Sequence, residues 1–305
     1  MDFLELVNLR LDYLQAYSSE IYYKENRYKA KNWVKYLGDL YCKDITQQMI
    51  EKFILKRRKV SPITANKEIR YLKATFNYAI RKGFMTHNPA EGIKYFPVDK
   101  KLKYIPSIDD VNRVIEAADA DTQDYLWTIR ETLARVNEIN QLEWSDVDFK
   151  QKFVVLYTRK KRGGHRTPRK IPMTDHLFHI LKRRYKNRDQ SKPWVFWHSY
   201  WSGKSKQIEC GPYKDRKGIM RSLCKKAGVK YFRYHALRHN GASLLESANV
   251  SIGSIQRILG HENRSTTEIY INSIGESERK AMEIFEQASK KSHTNSHTAT
   301  SMANR

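Results

Sequence analysis

A stretch with no periodic apolar pattern, residues 95–106, interrupts the chain between two segments that could each form a core. It follows His87-Asn88-Pro89 and contains Pro97 and Lys100-Lys101, a composition typical of an interdomain linker. Because 305 residues are enough for two ordinary domains, we predict an α+β, mostly helical chain of two domains. The predicted parts are a helical domain over 1–98, a linker over 99–106, a mixed α/β domain over 107–290 and a disordered polar tail over 291–305.

Charge narrows the choice of partner. The chain has 57 lysines and arginines against 33 aspartates and glutamates, a formal net charge of +24. An excess of this size repels itself in a compact fold, and nucleic acid is the most common polyanion that compensates it. A basic protein whose charges are merely solvated is the alternative. The net charge indicates a kind of partner but does not indicate what reaction the protein catalyses.

Cofactor and targeting signals are missing from the sequence. The cysteines, Cys42, Cys210 and Cys224, are too few and too far apart for a zinc site or a disulfide framework. There is also no P-loop motif and no clear acidic metal cluster, so we expect neither cofactor nor metal. The N-terminus lacks the basic and apolar regions of a secretory signal, and no apolar run approaches membrane-spanning length. These features predict a cytoplasmic protein.

The clearest helix of the first domain begins at Ser61-Pro62, an N-cap residue followed by proline, and ends near Gly83. Its apolar residues share one face at helical spacing: Ile69, Leu72, Phe76 and Ile80. Basic residues lie off this face, and we predict that they bind DNA: Lys67, Arg70, Lys73 and Arg81. An ordinary solvated helix face is the alternative.

The second domain mixes helices with a predicted β-hairpin. Helices are expected at 107–119, 122–142, 175–187, 213–227, 236–248 and 251–259. The β-rich run 153–158, the turn Gly163-Gly164 and the run 170–173 predict two paired strands. Residues 159–170 carry seven lysines and arginines and no acid. Four of these are predicted to contact DNA in addition to any catalytic lysine: Arg159, Lys161, Arg162 and Arg166.

Four short motifs carry the candidate chemistry. They are Thr132-Leu133-Ala134-Arg135, Tyr234-His235-Ala236-Leu237-Arg238, Leu259-Gly260-His261 and Thr266-Thr267-Glu268-Ile269-Tyr270. Each alone is weak, because a lone histidine or arginine is more often structural and a tyrosine on an amphipathic helix more often belongs to the core. Their order is specific: His-x-x-Arg precedes Leu-Gly-His, and Tyr270 follows nine residues after His261.

This compound pattern resembles the tyrosine recombinases, the family of phage integrases. The resemblance implies a C-shaped clamp on DNA, with a SAM-like core-site-binding domain and a catalytic domain, and strand exchange without cofactor or metal. It also implies a specific double-stranded DNA site, a homo-tetramer on paired sites, an accessory directionality or DNA-bending factor, and a location at the nucleoid. The catalytic residues carried over are Arg135, Lys160, His235, Arg238, His261 and the nucleophile Tyr270. Lys161 and Arg162 lie beside Lys160, so the lysine assignment is open to a shift.

These residue types suit the chemistry. Cleavage of a phosphodiester builds negative charge at phosphorus, and two guanidiniums can each grip two oxygens in a fork, with His261 as a third donor. A phenol is protonated at neutral pH, so His235 would take its proton, and Lys160 would protonate the leaving 5′-oxygen. The covalent phosphotyrosine stores the bond energy, so rejoining needs no ATP.

Two departures from the family pattern concern the backbone. Leu133 stands where a glycine is usual, and Ala236 stands where an aspartate is common. Two other functions remain open at this point: a type IB topoisomerase, which uses the same nucleophile, and a non-catalytic DNA-binding protein on an integrase scaffold. The favoured prediction is a site-specific recombinase that integrates or excises a mobile element.

Overall fold

The chain, described here by a computed structural model, folds into two compact units, Met1–Lys101 and Leu102–Arg305. The structure describes residues 1–99, 104–158, 166–214, 216–271 and 282–287, with the side chains of Lys217 and 269–271 excepted. The predicted polar tail, 291–305, lies outside the described residues, as do residues 100–103 of the predicted linker.

The described part of unit 1 contains four α-helices, α1 (Phe3–Tyr17), α2 (Glu20–Leu37), α3 (Gln47–Arg58) and α4 (Pro62–Arg81), and one short 3-10 helix, Cys42–Asp44. Side chains cap all four N-termini, and Ser61 caps α4 as predicted by accepting from the Thr64 N–H. Gly83, at φ +75°, ends the α4 segment in the left-handed conformation that glycine tolerates. The core includes Trp33, Ile69, Leu72 and Phe76, all at most 2% exposed.

A buried acid in α4 ties the helices of unit 1 together. Glu68 is 1% exposed and accepts from the Trp33 indole N–H at 2.8 Å. Its other oxygen faces Lys29 Nζ at 3.2 Å and Arg57 Nε at 3.5 Å. A buried carboxylate is tolerated when it is paired and hydrogen-bonded in this way. Glu68 therefore fixes α2, α3 and α4 against one another.

Unit 2 contains a three-stranded antiparallel sheet in the order β1 (Val147–Asp148), β2 (Phe153–Thr158), β3 (Thr167–Pro172). Its helices are α5 (Ile108–Glu116), α6 (Ala120–Glu131), α7 (Val136–Asn140), α8 (Asp175–Lys186), α9 (Lys217–Lys226), α10 (Tyr234–Ser247), α11 (Ile252–Leu259) and α12 (Arg264–Ile271). A second hairpin joins β4 (Trp197–Ser202) to β5 (Gln207–Pro212). The core runs between sheet and helices and includes Tyr125, Ile129, Val154, Phe196 and Leu237, each fully buried.

Three sequence predictions for unit 2 need correction. The helix predicted over 122–142 is broken between α6 and α7, where Leu133 has φ +50°. The returning strand begins at Thr167 rather than residue 170, because Thr158 pairs with Thr167 and Leu156 with Arg169. The β4–β5 hairpin was not predicted, and α9 begins at Lys217 instead of 213. Residues 159–165, which connect the two strands in sequence, lie outside the described residues.

The predicted DNA-binding residues of α4 do not all face outward. Arg70 and Arg81 are exposed, and the Lys67 side chain is 50% exposed beside Glu25. Lys73 differs, because it is half-buried and its ammonium donates to the Ile93 carbonyl at 2.9 Å. This bond ties α4 to the segment that follows it, and DNA contact by these four residues stays a prediction.

Candidate active site

Arg135 stands at the start of α7, immediately after the break that separates it from α6. Glu138, one turn later, accepts from the Arg135 backbone N–H at 2.8 Å and from its Nη1 at 3.0 Å. Nη1 also lies 3.5 Å from Thr158 Oγ1 at the end of β2. Glu138 and Thr158 therefore orient the guanidinium of Arg135. The side chain is 17% exposed, so part of it remains accessible to solvent.

Glu138 holds a second arginine that the sequence did not single out. Arg169 of β3 donates to both carboxylate oxygens, at 3.0 Å and 2.6 Å. Burial alone would raise the pKa of Glu138, but the bonds and charges of Arg169 and Arg135 outweigh it and lower that pKa. Arg169 was missed because it was counted only as part of a basic loop. Arg169 lies two residues before Ile171 and therefore on the same inward face of the strand, and this spacing was the available signal.

Arg238 lies at the centre of the site and is fully buried. It projects from α10, where Nη1 donates to the Leu133 carbonyl at 2.5 Å and Nη2 donates to the Leu259 carbonyl at 2.5 Å. Nη2 also lies 3.0 Å from His261 Nε2. Arg238 thereby joins the chain just before Arg135 to the end of α11.

His261 follows Gly260, which ends α11 at φ +63° and turns the chain toward Arg238. Because a guanidinium can only donate, His261 Nε2 must accept from Arg238. The proton of the neutral ring then sits on Nδ1, which donates to Thr267 Oγ1 at 3.0 Å. Burial, with the charges of Arg238 and Arg135, lowers the pKa of His261 to about 4. The sequence predicted that His261 donates a hydrogen bond to the phosphate. In this arrangement the ring N–H of His261 donates to Thr267 of α12 instead.

Tyr270 belongs to α12, the helix that His261 anchors through Thr267. Thr267 is fully buried and lies three residues before Tyr270. Helix α12 contacts both α10, which carries Arg238, and α11, which ends just before His261, so its backbone is fixed next to both residues. The Tyr270 side chain is outside the described part of the structure.

His235 lies in the first turn of α10, one turn before Arg238. Its side chain is exposed, and its ring meets the His239 ring edge-on with centroids 5.0 Å apart.

The remaining residues predicted for catalysis or DNA binding lie in the segment between β2 and β3. Lys160, the predicted general acid, lies outside the described residues, as do Arg159, Lys161 and Arg162. Arg166 is described and exposed, with its guanidinium 4.4 Å from the centroid of the Tyr157 ring. Thr158, the last described residue before this segment, approaches Arg135 Nη1 at 3.5 Å.

A cleft of about 290 Å³ opens between the hairpin and α11, beside the site. Its lining includes Thr158, Arg169, Gly260 and His261. A larger cleft of about 580 Å³, around Trp144, Arg184 and Trp197, lies apart from these residues. We assign the chemistry to the smaller cleft, because it is lined by Thr158 and His261, which lie beside Arg135 and Arg238 respectively.

The described ranges, 1–99, 104–158, 166–214, 216–271 and 282–287, contain neither a metal cluster nor a membrane-spanning helix. Within them, no group of three or more histidine, cysteine or carboxylate side chains is placed to hold a metal ion. None of the helices described is both long enough and apolar enough to span a membrane.

Comparison with known proteins identifies the family. The profile of the phage integrase family matches residues 107–276, and that of the phage integrase SAM-like domain matches residues 2–96. Tyrosine recombinase XerA of Pyrococcus horikoshii is 29% identical over 289 residues, covering 92% of this chain and 94% of its own. A tyrosine recombinase of Thermosipho africanus is 27% identical over 258 residues, covering 82% of this chain and 87% of its own.

Solved structures share the fold. A lambda integrase dimer bound to a COC′ core site superposes with a TM-score of 0.69 at 16% identity, covering 90% of this chain and 79% of that one. The Tn1549 transposon integrase in complex with circular intermediate DNA gives 0.69 at 20% identity, covering 89% and 95%.

The chain therefore belongs to the phage integrase family. It is a tyrosine recombinase, a DNA-binding enzyme of DNA recombination. The predicted family and the mostly helical α+β fold are both confirmed.

Proposed function

We propose that this recombinase cleaves and rejoins DNA at specific sites through a 3′-phosphotyrosyl bond to Tyr270, and so integrates or excises a mobile element. The observation that carries the proposal is the link from Arg238 to both the Leu133 carbonyl and His261 Nε2. This link joins the segment before Arg135 to the turn at His261. Arg238 and His261 thus meet in a buried junction that begins two residues before Arg135.

In the proposed reaction, the Tyr270 hydroxyl oxygen attacks the scissile phosphorus and its proton passes to His235. The bond from phosphorus to the 5′-oxygen breaks, and Lys160 protonates that oxygen. Arg135, which is partly exposed, binds the nonbridging oxygens, where negative charge increases. Arg238, which is fully buried here, joins it when DNA binding draws one of its donors away from the Leu133 or Leu259 carbonyl. His261 orients Arg238 and α12. Attack by a 5′-hydroxyl of another strand reverses each transfer, and the phosphotyrosyl bond supplies the energy for joining.

The proposed assembly is a homo-tetramer on two paired sites. Lambda integrase, which shares the fold, is known as a tetramer bound to a Holliday junction. In this chain, residues 282–287 are helical and expose Met282, Ile284 and Phe285 by 63%, 66% and 64%. A short helix with exposed apolar side chains gains stability by packing on another surface. We propose that a neighbouring subunit provides this surface.

Covalent trapping tests the proposal. A nicked DNA duplex that loses a short 5′-hydroxyl fragment after cleavage holds the enzyme on its 3′-phosphate, and a denaturing gel reveals the adduct. The wild-type chain is expected to form it, whereas Tyr270→Phe is expected to bind DNA but form none. Tyr185→Phe on α8 makes the same chemical change away from the site and serves as the control. An adduct with Tyr270→Phe would exclude Tyr270 as the nucleophile.

The topoisomerase alternative makes a different prediction. A type IB topoisomerase would relax a supercoiled plasmid with one site as a monomer, whereas a recombinase needs two sites for strand exchange. Products that appear only with two sites favour the recombinase. Mapping the junction of an excised circle in the native cell tests the mobile-element role, and a junction at a chromosomal dimer-resolution site would contradict it.

A further inference from the structure

Arg169 contacts two segments of the site, although it belongs to none of the catalytic motifs. It lies on β3 opposite Leu156 of β2, and its side chain is only 10% exposed. Burying a guanidinium is costly unless its donors are satisfied. Its donors are directed at two other segments of the site, which makes its placement specific.

The first of these contacts is a two-pronged bond to Glu138. Arg169 Nη1 and Nη2 donate to Oε1 and Oε2 at 3.0 Å and 2.6 Å. Glu138 Oε1 also accepts from Arg135 Nη1 at 3.0 Å, and Oε2 accepts from the Arg135 backbone N–H at 2.8 Å. Both oxygens of one carboxylate are thus shared by the two arginines. Any rotation of the Glu138 carboxylate would move the Arg135 guanidinium.

The second contact is to the end of α11. Arg169 Nε donates to the Ile258 carbonyl at 3.0 Å. Its side chain lies against Gly260, where an added Cβ would stand 3.0 Å from Arg169 Cδ and 3.2 Å from Nη1. Contacts this short leave little space for any other residue at 260. Arg169 therefore packs on the turn that presents His261.

We propose that Arg169 is a positioning residue that fixes Arg135, through Glu138, and the Gly260–His261 turn in the geometry that the reaction needs. The inference rests on the proposed function, since it takes Arg135 to act on the scissile phosphate. A purely structural ion pair is the alternative. That alternative explains the burial of Arg169 and Glu138. It does not explain why the Glu138 carboxylate is shared with Arg135, which is partly exposed.

The test compares two substrates that differ only at the scissile group. A methylphosphonate replaces one nonbridging oxygen with methyl and removes the negative charge, so its cleavage depends less on a well-placed guanidinium. Cleavage rates of both substrates are measured for the wild type, Arg169→Gln and Arg169→Lys. The matched control is Arg183→Gln, which breaks an arginine–carboxylate pair with Asp124 on α8 and α6 of the same unit.

Misplacing a catalytic group by about 1 Å can cost on the order of 100-fold. We therefore expect Arg169→Gln to cleave the phosphodiester about 100-fold more slowly than the wild type, and the methylphosphonate less than about 10-fold more slowly. Arg169→Lys keeps the charge but cannot form the fork, so it should remain impaired on the phosphodiester. Single-site DNA binding and the Arg183→Gln rates should stay close to those of the wild type.

An equal loss on both substrates, or no loss, would overturn the inference while leaving the proposed function in place. If Arg169→Gln does not fold, as judged by thermal unfolding, Glu138→Gln takes its place because it keeps the volume and removes the shared charge. It must show the same contrast between substrates, and equal loss again overturns the inference. A wild-type chain that cleaves neither substrate would instead refute the proposed function, and the inference with it.

Discussion

The side chain of Leu133 lies directly over Gly241 of α10, so that a Cβ added to Gly241 would stand 2.1 Å from Leu133 Cδ2. Leu133 is 5% exposed and packs with Ala242, Ile255 and Leu259. It occupies a left-handed backbone conformation, φ +50°, which costs a non-glycine residue about 1–2 kcal/mol. This conformation explains why the family usually has glycine at this position. Here the burial of a leucine offsets the backbone strain, and the facing helix supplies the glycine.

This relationship predicts non-additive stability changes. Gly241→Ala should destabilise the wild-type chain by about 1–3 kcal/mol, because Leu133 must leave its packed position. In a Leu133→Gly background the same change should be neutral or stabilising by up to about 1 kcal/mol, since alanine favours helix. Urea unfolding of the four chains measures the coupling. Equal effects of Gly241→Ala in both backgrounds would show that the two sites do not compete for space.

The two candidate phosphate-binding arginines should differ in how substitution affects stability. We expect Arg135→Lys and Arg238→Lys each to slow covalent cleavage about 100-fold, because an ammonium cannot form the fork. Arg238→Lys should also destabilise the chain, by about 1–3 kcal/mol, since two buried carbonyls lose their donors. Arg135 is partly exposed, so Arg135→Lys should have a small effect on stability.

Suicide-substrate cleavage and thermal unfolding, measured on the same preparations, check both parts. Near-wild-type cleavage by either variant would remove that arginine from the catalytic assignment. Equal stability of Arg238→Lys and the wild type would contradict the anchoring role of Arg238.

The β2–β3 loop should carry the general acid at Lys160. Lys160→Ala is expected to be slow on a normal phosphodiester and to recover on a substrate with a 5′-thio leaving group, which departs without a proton. The reason is its place two residues after Thr158, the last paired residue of β2. Lys161→Ala is the neighbouring control. Rescue of Lys161→Ala instead of Lys160→Ala would shift the assignment by one residue.

How far the sequence predicts the fold depends on whether the signal is local. Capping residues and helical spacing predicted α4, because Ser61, Pro62 and the buried Ile69, Leu72 and Phe76 act within one helix. The break at Leu133 was not predicted, since no glycine or proline marks it. It depends on the bond from Arg238, which lies 105 residues away in sequence.

The same distinction between local signals and long-range contacts applies to the residues of the site. Motif spacing predicted Arg135, Arg238 and His261, and the structure links them through direct bonds or shared neighbours. Arg169 was overlooked because its partner Glu138 lies 31 residues earlier, and spacing alone does not reveal that pairing. The orientation of His261 was also beyond the sequence, because it depends on which of its two ring nitrogens faces Arg238.

His261 should make the stability of the folded chain sensitive to acid. Its pKa is lowered from 6.5 to about 4, first by burial and then by the charges of Arg238, Arg135, His235 and Arg169. Between these two pH values the unfolded chain holds more protons at this residue than the folded chain, so stability rises with pH. The contribution is fully present above about pH 6.5 and is lost as the pH falls toward 4. A shift of this size corresponds to at most about 3 kcal/mol, reduced by solvent screening.

Urea unfolding from pH 4.5 to 7.5 should therefore show a shallower pH dependence for His261→Gln than for the wild type. His179→Gln, at an exposed position on α8, should keep the wild-type slope. Identical slopes for all three chains would mean that His261 takes up its proton equally in the folded and unfolded states, and the bond from Arg238 to a neutral Nε2 would then be wrong.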